Sequence, residues 1–169
     1  MGARLSGKWP AAGNTLKETC AMQYPAVLNP AEVGNYPASC FSGDGFVWDA
    51  VLEYRVWCHP ERGAPDEADG NDYFYAFETF EEADAFARAT TGAEEPLALV
   101  LQREYIDEDE PGCYVHVREH RITEWPVEFL SRPQRDDGTI PDFLAPDAPP
   151  NRLEVLRGLA PRARRTSPP

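Results

Sequence analysis

The sequence predicts an α+β protein. The expectation is a single domain in which an antiparallel or mixed sheet of about four strands, in the chain order β-β-α-β-β, packs on one main helix, with short capping helices and a Pro-rich C-terminal wrap. Three observations predict it. Phe46 to Trp57 alternates with period two, Thr79-Phe80-Glu81-Glu82 opens a segment of helical spacing, and Leu97 starts a continuous apolar run.

Taken in order, residues 1–20 mix Gly, Pro, Ala and Lys without a period and read as a loosely ordered arm. The domain is expected over 21–160. Asn29-Pro30-Ala31-Glu32 is a helix start, with Asn as N-cap, Pro at the first helical position and Glu closing a capping box; Gly34 and Pro37 keep that helix short. After the turn Ser42-Gly43-Asp44-Gly45, alternation places Phe46, Trp48, Ala50, Leu52, Tyr54 and Val56 on one face, and Asp49, Glu53 and Arg55 on the other. The run is longer than the usual strand of about 5–6 residues, which predicts a bulge, or a bend near Asp49.

Pro60 to Asp72 is rich in acidic residues, Gly and Pro and reads as an exposed loop. Tyr73 to Phe77 is a short aromatic strand. The helix is expected from about 80 to 91, with Phe80, Ala83, Phe86 and Ala87 on its apolar side and Gly92 beyond its end. Leu97–Ile106 and Tyr114–Trp125 are the third and fourth strands, joined by an acidic turn at 107–112. From Ser131 to Pro150 Pro and Asp dominate with no period, Asn151-Arg152-Leu153-Glu154 opens a short helix that Gly158 ends, and 161–169, PRARRTSPP, reads as a disordered basic tail.

Charge narrows the partners. Sixteen Lys plus Arg against 29 Asp plus Glu leaves −13, and the span 21–156, with nine basic and 28 acidic residues, carries −19. Such a body repels phosphate backbones and anionic lipid, which argues against nucleic acid and membranes and favours a basic protein as partner. No apolar run approaches the roughly 20 residues of a membrane span, and no apolar stretch follows Arg4 and Lys8 as a secretory signal requires. A cytoplasmic location is the expectation. Oligomeric state is not legible at this level.

Cys20, Cys40, Cys58 and Cys113 contain no CxxC pair and read as free thiols. Cys113, His116 and His120 make C-x2-H-x3-H, but on a strand the two histidines lie about 13 Å apart by rise, too far to share one zinc, so no metal is expected. Glu67 to Asp72 resembles part of an EF-hand loop, with Pro65 at the first ligand position and no closing Glu. Cys58 and His59 are adjacent, and strand neighbours face opposite ways, which reads as a buried thiol beside a surface imidazole. Neither a Walker loop nor a GxGxxG occurs. Trp48, Tyr54, Trp57, Tyr73, Tyr75 and Trp125 concentrate on the predicted sheet; beyond what the core absorbs, they are the candidates to line a ligand or partner groove.

Phe41 to Gly63, Glu94 to Asp107 and Arg121 to Leu130 resemble segments of short bacterial proteins classed as GCN5-type N-acetyltransferases, and the resemblance extends over about 14–160. It implies acetyl-CoA as cofactor, acetyl transfer to an amine, a natural start near Asn14, and Glu53, Glu104 or Tyr105 as proton carriers at strand positions. The family holds the cofactor's pyrophosphate on a Q/R-x-x-G-x-G/A loop. The nearest match here, Arg135 to Ile140, has Ile at the last position and acidic residues at 136 and 137. The second expectation, drawn from charge and aromatic content, is a non-catalytic interaction module of the immunity or regulatory kind.

Overall fold

A computed structural model of the chain describes residues 3–4 and 23–163. Among these residues eight strands, β1 (Ala3–Arg4), β2 (Phe41–Ser42), β3 (Ala50–Cys58), β4 (Tyr73–Phe77), β5 (Leu97–Gln102), β6 (Tyr105–Glu110), β7 (Cys113–Val117) and β8 (Arg121–Pro126), accompany three α-helices, α1 (Phe80–Ala89), α2 (Thr139–Leu144) and α3 (Arg152–Leu156). The main sheet runs β1-β4-β3-β5-β8-β2, with β6 and β7 as a separate two-stranded ribbon. Its four central strands are antiparallel; the two-residue strands β1 and β2 pair parallel at its edges, so the sheet is mixed and the α+β class holds.

The central order follows from the pattern. β3 and β4 pair through Tyr54↔Phe77 and Cys58↔Tyr73, and α1 returns the chain across one face so that β5 pairs with the other edge of β3. Thr79 caps α1 by accepting from the Glu82 amide at 3.2 Å. The helix stops at Ala89, two residues short of its predicted end. Beneath it Trp48, Val51, Tyr54, Val56, Phe77, Ala98, Val100 and Trp125 form the main apolar core.

Three expectations are revised. The alternation over 46–57 is not one strand: β3 begins at Ala50, and a register shift between Val51 and Glu53 brings Val51, not Leu52, onto the face of Tyr54 and Val56. The predicted third and fourth strands each break in two. Chain leaving β5 and chain entering β8 form the β6–β7 ribbon, so 107–110 belongs to a strand and the turn tightens to Pro111-Gly112. The stretch 131–150 carries α2, whose Ile140 and Phe143 are buried.

That helix closes a second core of Val47, Ile106, Ile140, Phe143 and Leu156 under the ribbon. The two cores meet where Phe46 takes a left-handed φ of 63° and Gly45 one of 92°. A Cβ on Gly45 would collide with the Gln102 amide, which donates to the Asp44 and Val47 carbonyls at 2.8 Å each.

At the termini, Asn29 accepts from the Ala31 amide, but the turn it starts is a three-residue 3-10 helix. Asn151 gives α3 no side-chain cap. Of the predicted arm, only the backbone of β1 falls among the described residues, and it pairs with Tyr73–Phe74. Of the predicted tail, Arg162 is described and bridges Asp136 at 2.8 Å and Asp142 at 2.6 Å; residues 164–169 lie outside the described residues.

Truncating Phe143 tests whether the second core is integral. Phe143→Ala is expected to lower unfolding free energy by about 3 kcal/mol within a single urea transition. A loss below about 0.5 kcal/mol would mean that α2 folds apart from the rest.

Candidate functional site

Past the register shift, β3 turns Glu53, Arg55 and Trp57 to the face opposite α1. Arg55 is fully buried. Its Nε donates to Glu53 Oε1 at 2.7 Å, its Nη1 to Glu124 Oε1 at 2.8 Å, and its Nη2 to the Pro37 carbonyl at 2.8 Å. Cys40 Sγ lies 3.7 Å from Nη1, and the guanidinium sits 4.4 Å from the Phe74 ring centroid. Both carboxylates take further donors: the Gly34 amide donates to Glu53 Oε2 at 2.6 Å, and Trp57 Nε1 to Glu124 at 3.1 Å. Both Glu53 oxygens are thereby engaged inside the protein, and the residue is fully buried, so no solvent-facing edge of the carboxylate is offered to a substrate.

A second polar cluster lies where β5 hands over to the ribbon. Asp49, 3% exposed at its side chain, accepts from Arg135 Nε at 2.8 Å and from the Arg103 amide at 2.7 Å. That hydrogen bond holds Arg135 above the ordinary arginine range, against the effect of burial. Glu104 lies 2.8 Å from His116 Nε2 and 3.8 Å from Arg135 Nη1. Beside Asp49 opens a cavity of about 370 Å³ lined by Pro25, Leu28, Trp48, Arg103 and Gln134. A carboxylate–imidazole pair can move protons. Nucleophilic chemistry also needs an activated thiol or hydroxyl. Cys113, three residues along β7 from His116, projects from the other face of the ribbon about 10 Å away by strand rise.

A third cluster escaped the sequence reading. His59 is 8% exposed, not on the surface as adjacency to Cys58 suggested. Its Nδ1 lies 2.9 Å from Asp72 and its Nε2 3.0 Å from Glu94, which Arg62 also holds at 2.9 Å. Neither ring nitrogen points at its carboxylate well enough for a hydrogen bond, so these are close contacts between polar groups and not hydrogen bonds. Pro60 after His59 and the acidic loop beyond were the signals for it. Next to it, Cys58 is buried, and burial, reinforced by the Glu67 charge, pushes its thiol up to about 11.

The sequence-predicted aromatic set does not assemble into one groove. Trp48, Tyr54 and Trp125 lie in the main core, and Tyr73 is buried with Cys58. Trp57 and Tyr75 are partly exposed on opposite faces of the sheet, Tyr75 donating to Glu67 Oε2 at 2.5 Å. Of the candidate proton carriers, Glu53 belongs to the Arg55 cluster and Glu104 to the Asp49 cluster. Tyr105 is covered by the Arg121 guanidinium, 3.7 Å from its ring centroid.

The segment 135–140 does not fit the acetyl-CoA pyrophosphate. Its amides are taken within the turn: Asp136 N by Thr139 Oγ1 and Gly138 N by Asp136 Oδ1, both at 2.9 Å, and Thr139 N by the Asp136 carbonyl at 3.1 Å. The Arg162 guanidinium occupies the space beside Gly138. Among the described residues no group of three or more His, Cys, Asp or Glu is arranged to hold a metal ion, and no helix is long and apolar enough to cross a membrane. No protein-family model, curated protein or solved structure matches this chain.

Two outcomes follow from these clusters. Arg55→Met should cost about 3–5 kcal/mol by leaving two carboxylates uncompensated, and replacing Glu53 and Glu124 with Met in the same chain should recover most of it; urea unfolding of both variants checks this. With the Cys58 thiol raised to about 11, iodoacetamide at pH 8 should label exposed Cys113 in the native protein and Cys58 only after unfolding.

Proposed function

We propose that the chain is a non-catalytic interaction module, of the immunity or regulatory kind, that binds a basic protein partner through its acidic surface. The observation that carries this reading is a division of charge. Interior carboxylates are matched: Glu53 and Glu124 by Arg55, and Asp49 by Arg135. By contrast Asp66, Glu67 and Asp69 on the β3–β4 loop, and Asp107, Glu108, Asp109 and Glu110 on β6, enter no ion pair among the described residues.

The loop leaves the end of the sheet where β3 finishes, and the ribbon extends from the opposite end, where β5 finishes. Clustered exposed carboxylates raise the encounter rate with a cationic partner and repel acidic competitors. Partly exposed Trp57 and Tyr75 supply aromatic contact area beside Glu124 and Glu67. The acetyl-transfer reading has its carboxylates tied up in Arg55 and His116 contacts and lacks an amide cradle at 135–140, so no step is derived through acetyl-CoA.

Titration with poly-L-lysine tests the reading. Calorimetry at about 20 mM salt should register association that weakens steeply by about 150 mM, and acetyl-CoA should leave the melting temperature unchanged. Absence of association at low salt, or a saturable thermal shift with acetyl-CoA, would overturn it.

A further inference from the structure

The ribbon has an unfinished edge. Among the described residues β7 pairs with β6 alone, and no backbone hydrogen bond joins residues 113–120 to any of them outside that ladder. Every second backbone unit of a strand points its N–H and C=O away from its neighbour, so the outer edge of β7 presents unpaired main chain. Three of the usual protections, a Lys, a Pro and a bulge on the edge strand itself, are missing from it. Its sequence, Cys-Tyr-Val-His-Val, holds no Lys and no Pro, and the register shift of the ribbon lies on β6, between Glu108 and Glu110. Val115, in the middle of the strand, is 53% exposed.

The ribbon is also held firmly from behind. Tyr114 packs edge-on against Phe143 at 4.9 Å between ring centroids, Ile106 is fully buried, and His116 reaches Glu104. An incoming segment would therefore meet a preformed edge. The ladder sets Asp107 opposite Val115 and Glu108 opposite Tyr114, and the acidic run of β6 continues to the turn. Two strand spacings, about 10 Å, separate β6 from any strand added beside β7. An extended Lys or Arg on the added strand and a carboxylate on β6 together span that distance, passing over the small Val115 side chain.

We propose that the β6–β7 ribbon is the docking element of the acidic surface: the outer edge of β7 takes up an extended basic segment of the partner as a third strand. Main-chain hydrogen bonds to β7 supply register, and the β6 carboxylates select Lys or Arg at alternate positions. A second copy of the chain suits the edge poorly, since it would bring two acidic runs together on molecules of −13 each. This inference rests on the basic-partner reading above.

The probe is a short synthetic peptide alternating Lys and Val, used with the full-length protein at about 20 mM salt, beside the same peptide N-methylated along one edge, which keeps its charge and loses its donors. The expected result is slowed amide exchange within 113–117, unchanged exchange in 61–72, and affinity on the order of tenfold weaker for the methylated peptide. Asp107→Asn/Glu108→Gln/Asp109→Asn/Glu110→Gln should weaken binding comparably while leaving the melting temperature in place. Equal affinity for the two peptides, or protection that falls on 61–72 instead, would overturn the strand-pairing inference and leave the basic-partner reading standing. Binding of neither peptide, with poly-L-lysine also failing, would remove both. Protection of 113–117 without peptide, with a doubled mass in solution, would give the edge to a second copy and overturn the inference.

Discussion

The buried guanidinium of Arg55 is the constraint on which the sheet depends. Removing an ion pair from water costs several kcal/mol per ion, and that cost is offset only when every donor and lone pair is matched. Here Glu53 comes from the same strand, Glu124 from β8, and the Pro37 carbonyl from the segment that crosses the sheet face opposite α1. A one-residue slip of β3 against β5 would turn Arg55 into the apolar core under α1, so the charge fixes the register more strictly than hydrophobic area could. The shift between Val51 and Glu53 belongs to the same solution, since it lets Trp48, Val51 and Tyr54 share the α1 face while Glu53 and Arg55 occupy the other.

That arrangement sets what the remaining charges can do. The interior networks consume arginines, Arg55 for Glu53 and Glu124 and Arg135 for Asp49, while at the surface Arg162 is held by Asp136 and Asp142. With nine basic residues against 28 acidic ones between 21 and 156, little cationic side chain is left to neutralise the β3–β4 loop and β6. Internal cohesion and an acidic exterior are thus two consequences of one composition, and the exterior is the part free to meet a partner.

How far the sequence discloses this depends on how local the cause is. The Thr79 capping box is local and appears where the pattern places it, whereas the alternation over 46–57 yields a strand only from Ala50, and the register shift after Val51 interrupts it. The division of 97–106 and 114–125 into four strands is not local, because it depends on Gly45 and Gln102 meeting from distant parts of the chain. The partnership of Glu53 with Glu124 across Arg55, the burial of His59 between Asp72 and Glu94, and the docking of α2 on the ribbon likewise arise only once the sheet is assembled. For the candidate site, composition disclosed the acidity, while which carboxylates are matched and which are exposed required the three-dimensional arrangement. Glu53 and Glu104 drew attention as strand carboxylates, and both prove to be engaged by neighbours.

The claim that the exposed carboxylates, and not the interior ones, carry the function is tested most directly by residue-resolved amide shifts during titration with poly-L-lysine. The account predicts movement concentrated in the acidic strand β6 and the ribbon around it, with the amides of Asp49, Glu53 and Glu124 still. Saturable movement at those three positions, with the ribbon unmoved, would contradict it.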